Sequence, residues 1–110
     1  MRKIEKEMVE AISKWKDCRK ENTDVRVIPA IYEDEEPYLT IYLHGHLIVV
    51  ITEKQIKLKD AGYKTKTTKS RLNAILSHFN LPTIYAKKFK WYIGDEEWIG
   101  SKTFEISPTT

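Results

Sequence analysis

Apolar residues recur at helical spacing at the start of the chain, as Ile4, Met8, Ile12 and Trp15 with Lys and Glu between them. This pattern predicts an amphipathic helix from residue 3 to about residue 20. Its polar face alternates in sign, with Glu7 within reach of Lys3 and Glu10 of Lys14. A helix lying on a membrane surface needs a mainly cationic polar face, and six acids in the first 24 residues argue against that role. The period then changes. Asn22-Thr23-Asp24 ends the helix, and the run from Val25 to Tyr32 reads as a strand whose Pro29 suits a sheet edge. After the polar turn Glu33-Asp34-Glu35-Glu36-Pro37, the β-rich runs 38–43 and 47–52 flank His44-Gly45-His46 as a hairpin. Gln55-Ile56-Lys57-Leu58-Lys59 alternates as a half-exposed fourth strand, and Ala61-Gly62 breaks it.

A second helix is expected at about 68–79, capped by Thr67 or Thr68, with Leu72, Ile75, Leu76 and Phe79 as its buried stripe. Asn80-Leu81-Pro82 stops it. Residues 83–86, 90–93 and 102–106 read as closing strands joined by Lys87-Lys88-Phe89 and Gly94-Asp95-Glu96-Glu97, and 107–110 as a loose tail. The expected architecture is one α+β domain over residues 1–110, a mostly antiparallel sheet with both helices packed on it. Its segments are the helix at 1–20, antiparallel strands at 25–60, a basic turn and helix at 61–80, and closing strands at 83–106.

Composition narrows this picture without changing it. At 110 residues, 41% hydrophobic and 32% charged, the chain suits one real core rather than disorder, and no apolar run approaches the roughly 20 residues that cross a bilayer. The first residues lack the apolar stretch of a signal peptide, and Cys18 is the single cysteine, which excludes an intrachain disulfide and a cysteine-rich zinc site. A cytoplasmic protein is expected, in the reducing interior of a cell.

Charge is less even than the net +3 suggests. Residues 61–93 hold seven Lys or Arg and no acid, and the other 77 residues carry all 16 acids. Within this window Lys64-Thr65-Lys66-Thr67-Thr68-Lys69-Ser70-Arg71 is an unbroken run of cations and hydroxyls leading into the helical repeat at Leu72. A helix start already carries unpaired N–H groups and a positive dipole end, so further cations there call for a negative counterpart, most simply a phosphate. Hydroxyls give directional bonds to phosphate oxygens, Lys supplies charge, and Arg grips two oxygens at once. The glycine pattern and Gly-Lys-Ser/Thr ending of a Walker loop are missing. Aromatics cluster around the same run: Tyr63 before it, and Tyr85, Phe89, Trp91, Tyr92 and Trp98 after the helix. Bases stack on such rings, although in so small a domain most of them must be core. The candidate ligand-binding set is therefore Tyr63, Lys64, Thr65, Lys66, Thr67, Thr68, Lys69, Arg71, Asn73 and Trp91. Asn73 has a second reading, as a tie for the 61–62 loop.

Other candidates are weaker. His44 and His46 share a strand face and make half a metal site at most, with no third ligand marked by spacing; two ordinary turn histidines are the simpler reading. His78 favours the negative end of the second helix. The acidic runs 33–36 and 95–97 read as solvated turns, and neither a Gly-x-Ser-x-Gly elbow nor a Cys–His signature marks an enzyme. No cofactor or metal is expected.

The block His44-Gly45-x-Leu-Ile-Val-Val-Ile, Ile56-x-Leu58, Ala61-Gly62-Tyr63-Lys64-Thr65-x-Thr67-Thr68-x-x-Arg71-Leu72-Asn73, Trp91-Tyr92 and Phe104-x-Ile106 resembles a family of small uncharacterised phage proteins. That family pairs a hairpin with a Gly-aromatic, Thr-x-Thr-Thr-x-x-Arg-Leu-Asn element, and Ala61-Gly62-Tyr63 stands here where the family has Gly-Gly-Trp. The resemblance covers about residues 38–106 and implies a phage origin and a shared element around residues 65–73, with no catalytic residues. A non-enzymatic protein holding a phosphate-bearing ligand is then expected in the host cytoplasm. One version sequesters a nucleotide signal of host defence, such as a cyclic dinucleotide, in an enclosed pocket of the kind a homo-oligomer builds. The alternatives are single-stranded or duplex nucleic acid on an open basic face, and inhibition of a host enzyme or defence protein through acidic turns or exposed rings.

Overall fold

The amphipathic pattern at the start of the chain does form a helix, and it stops early. In the computed structural model, which describes residues 2–106, helix α1 spans Lys3–Lys14. Trp15 closes it in the left-handed conformation (φ 50°), with its N–H turned back onto the carbonyls of Ala11 and Ile12. Beyond Trp15 the apolar repeat has no further member, so nothing buries another turn. The expected continuation to residue 20 is instead an edge strand, β1 (Cys18–Lys20). Asp17, between the two, accepts the Val27 N–H at 2.7 Å. On the surface of α1, Lys14 meets Glu10 at 2.8 Å as expected, whereas Glu7 faces Lys20 at 4.0 Å rather than Lys3.

Four more strands follow: β2 (Thr23–Ile28), β3 (Tyr38–Leu43), β4 (His46–Ile51) and β5 (Gln55–Lys59). Together with β1 and a late strand, β9 (Ser101–Glu105), they form a six-stranded antiparallel sheet in the order β1-β2-β3-β4-β5-β9. Thr23–Val25 of β2 are paired on both sides, whereas Arg26–Ile28 pair with β3 alone, so the half of β2 that leads into Pro29 does lie at a sheet edge, as expected. The strand ends at Ile28 because proline has no N–H to continue the ladder. The β3–β4 register shifts between Ile41 and Tyr42, with Ile41 opposite Val49 and Tyr42 opposite Leu47, so Ile48 is an extra residue in β4. A slip of one residue reverses side-chain direction, and His46, paired with Leu43, is thereby turned onto the same face as Leu43.

Helix α2 spans Lys66–His78, capped by Thr65 rather than Thr67 or Thr68: the Thr65 Oγ1 accepts the Thr68 N–H at 3.1 Å. Leu72, Ile75 and Leu76 are buried as expected and Phe79 is only half-buried, while Thr68 and Arg71 join the buried stripe. The last segments do not simply close the main sheet. β6 (Ile84–Lys87), β7 (Lys90–Ile93) and β8 (Glu96–Glu97) make a separate three-stranded antiparallel sheet. Its inner residues Ile84, Trp91 and Ile93 complete a core shared with Met8 and Ile12 of α1, Ile41, Val49 and Leu58 of the main sheet, and Leu72 and Ile75 of α2. The expected tail at 107–110 lies outside the described residues.

The cap assignment has a direct test. Thr65→Ala is expected to cost about 1 kcal/mol in chemical denaturation, whereas Thr67→Ala, which removes no cap, should stay within about 0.5 kcal/mol of the parent. Equal losses in the two variants would contradict the Thr65 cap.

Candidate ligand-binding site

The cation and hydroxyl run is divided by the helix it starts. A helix turns about 100° per residue, so neighbours in sequence face different directions. Arg71 points inward, 3% exposed. Its Nη1 donates to Glu5 Oε2 at 2.8 Å, its Nε to Thr23 Oγ1 at 2.9 Å and its Nη2 to Asn22 Oδ1 at 3.3 Å. The Ser70 hydroxyl donates to the same Glu5 oxygen. The expected ligand contact at Arg71 is therefore corrected: its guanidinium is enclosed and neutralised by the protein's own carboxylate. Glu5 also supplies α2 with a negative charge that its first turn lacks, which answers part of the electrostatic demand without any ligand.

Asn73 is corrected in the same way. Its side-chain amide donates to the Ile84 carbonyl at 2.9 Å and its oxygen accepts the Ile84 N–H at 2.7 Å, tying α2 to β6 rather than to the 61–62 loop. Trp91 is buried with its indole in the core, and the Lys64 ammonium sits 5.6 Å from that ring's centre. Lys66 and Lys69 border a shallow open depression with Ser70 and Ser77 on another side of α2. Lys66, Lys69 and Arg71 thus do not converge on one point.

Four members of the set do converge. Tyr63, Thr65, Thr67 and Thr68 line a cavity of about 320 Å³ at the start of α2, closed on the opposite side by His44 and His46 of the β3–β4 turn. Leu43, the bulged Ile48 and Ala61 form its apolar part. The Tyr63 ring, 52% exposed, leans over His46 with ring centres 4.8 Å apart. His44 adopts a left-handed turn conformation (φ 52°) and its Nε2 lies 3.4 Å from the Asn22 side-chain nitrogen. Asp60 adds a carboxylate to the wall; one oxygen accepts the Gly62 N–H and the other the Trp98 indole N–H, each at 2.8 Å. These bonds shape the 60–65 turn that carries Tyr63. The Thr68 hydroxyl is in contact with that of Thr65 at 3.0 Å, while the first N–H groups of α2 have no partner within the helix.

Chemically the cavity offers hydroxyls, a helix start and two imidazoles to an anion, and a tyrosine ring to a planar group. The two histidines belong to it although their spacing pointed only to a weak metal site. Among the described residues no three His, Cys, Asp or Glu side chains gather in a way that holds a metal ion. The missed signal was the bulge at Ile48, which is a property of strand pairing and leaves no mark in β4 itself.

Fold and cavity together define a small α+β domain in which the β3–β4 turn, the 60–65 loop and the start of α2 line a half-open pocket. The chain belongs to the family described as Kyanoviridae Gp96 protein, a phage protein family whose model matches residues 1–109. No curated protein and no solved structure matches it. Among the described residues no helix is long and apolar enough to cross a membrane.

Proposed function

We propose that this phage protein is a non-enzymatic binding protein whose cavity at the start of α2 holds one phosphorylated nucleotide, and that it sequesters a nucleotide signal of host defence in the host cytoplasm. The observation that carries the reading is the cavity of about 320 Å³ bounded by Tyr63, Thr65, Thr67 and the two histidines. Its size lies at the lower end of ligand pockets, which suits one nucleotide per chain. A phosphate at the helix start would meet unpaired N–H groups, the positive end of the helix dipole and the Thr67 hydroxyl. The base would lie against Tyr63 and His46, and the Asp60 carboxylate, whose oxygens keep a free lone pair each, would accept from a base amine. A cyclic dinucleotide would extend beyond this cavity, and its second half calls for a partner copy of the chain.

The test is a thermal-shift titration with mononucleotides, cyclic mono- and dinucleotides, the parent nucleosides and inorganic phosphate. A nucleotide present at a hundred times its Kd should stabilise the fold by about 2.7 kcal/mol, and the matching nucleoside by much less. Tyr63→Ala and His46→Ala should each weaken binding about tenfold. Absence of any nucleotide-dependent shift, or full affinity in both variants, would refute the reading.

A further inference from the structure

The smaller sheet presents an outward face that the cavity does not use. β6 and β7 are joined by the two-residue loop Lys88-Phe89, flanked by the opposed pair Lys87 and Lys90. Both loop residues are left-handed, with φ of 52° and 68°. Such a loop favours Asn-Gly, because side chains beyond Cβ are rarely held there. Phe89 is nevertheless fully exposed, so its ring makes no contribution to the core. Alternation places Tyr85, Lys87, Lys90 and Tyr92 together on the face away from buried Ile84, Trp91 and Ile93. The Tyr85 and Tyr92 rings stack with centres 5.6 Å apart and planes at 23°, and the Tyr85 hydroxyl donates to the Gly94 carbonyl at 3.1 Å, which fixes the pair as a platform. Lys87 and Lys90 stand directly across the ladder from each other, an unfavourable placing for like charges. Glu97, opposite Tyr92 on β8, lies 3.4 Å from Lys90 with both side chains largely in solvent, where such pairs contribute little.

We infer that this face binds single-stranded nucleic acid, with bases stacked on Phe89 and the Tyr85–Tyr92 pair and phosphates beside Lys87, Lys88 and Lys90. Strained backbone, an exposed ring and like charges only weakly offset by Glu97 all disfavour the free hairpin, and one occupant relieves the charge while covering the rings. A single strand offers phosphates together with unpaired bases, whereas a duplex keeps its base faces stacked within. This site is separate from the cavity proposed above and stands or falls without it.

The experiment is fluorescence anisotropy with labelled mixed-sequence single-stranded DNA and RNA, a duplex of the same sequence, and anionic phospholipid vesicles. The double variant Lys88→Asn/Phe89→Gly gives the loop the residues its backbone prefers, so its Tm should rise while strand affinity falls about 5- to 150-fold, the range for losing one stacked base. Phe89→Leu keeps apolar bulk and should lose most of the same affinity. Lys87→Ala/Lys90→Ala should weaken binding and reduce the slope of log affinity against log salt by about 1.4. All these variants should keep any nucleotide-induced shift from the cavity. No strand binding by the parent chain, parent-like affinity in Lys88→Asn/Phe89→Gly, or preference for vesicles or duplex over single strands would overturn the inference.

Discussion

Arg71→Ala is expected to lower stability by about 3–5 kcal/mol, because it leaves the Glu5 carboxylate buried beside α2 without its cation. For a domain of this size that corresponds to a fall in Tm of roughly 10–20 °C, so the variant stands close to the limit of folding. The guanidinium joins three parts of the chain: α1 through Glu5, α2 through its own backbone, and the β1–β2 turn with the start of β2 through Asn22 and Thr23. Arg71→Lys keeps the charge but loses the planar fork that reaches three acceptors, so an intermediate loss is expected. Replacing both partners, as Glu5→Met/Arg71→Met, removes the unpaired charge and should recover most of the loss of the single variant. A double-mutant cycle by chemical denaturation measures this coupling. The folded fraction of Arg71→Lys should bind nucleotide with parent-like affinity; a parent-like stability combined with lost nucleotide binding would return Arg71 to the ligand site.

Asn73→Ala should cost about 2–4 kcal/mol, since both the N–H and the carbonyl of buried Ile84 lose their partner and each unsatisfied buried group costs about 1–3 kcal/mol. Neighbouring backbone cannot take over, because Ile84 pairs with Ile93 at the end of β6, where the ladder gives way to the 80–83 connection. Asn73→Asp preserves the acceptor for the N–H but sets a carboxylate oxygen against the Ile84 carbonyl, so it too should be destabilising. The loss belongs to the seam between α2 and the smaller sheet. Amide exchange in β6 and β7 should therefore accelerate more than exchange in β3 and β4. An Asn73→Ala protein as stable as the parent would refute this role.

The main elements were legible in the chain because their local signals agree. Period-3.6 apolar spacing marks both helices, period-2 runs mark β3 to β5, and Gly45 and Pro82 punctuate them. Less legible were the ends. Three threonines within four residues are all competent caps, and the helix starts at Thr65 because its hydroxyl accepts the N–H of Thr68 in the first turn ahead of it. The division of the late strands into a second sheet was also hidden, since short strands carry no label for their partners.

The candidate site was half legible, and Arg71 shows why. Its place one residue before Leu72 and three after Thr68 puts it on the buried stripe of α2, just as Glu5 shares the stripe of Met8 and Ile12 in α1. An acid and a base, each inside the apolar face of a different helix, are a signal for an internal ion pair. Grouping the cations by nearness along the chain obscured it, because adjacent helical residues point apart.

Patterning along the chain was enough to specify an α+β domain, two amphipathic helices, an antiparallel hairpin and a hydroxyl-rich helix start. These follow from interactions within a few residues, whose geometry the backbone repeat dictates. Which cation meets an acid, which sheet a late strand joins, and that His46 faces Thr65 across a cavity depended on how distant segments pack. Such pairings are selected by burial and charge compensation between elements far apart in sequence, and a single strand's or helix's residues do not contain them.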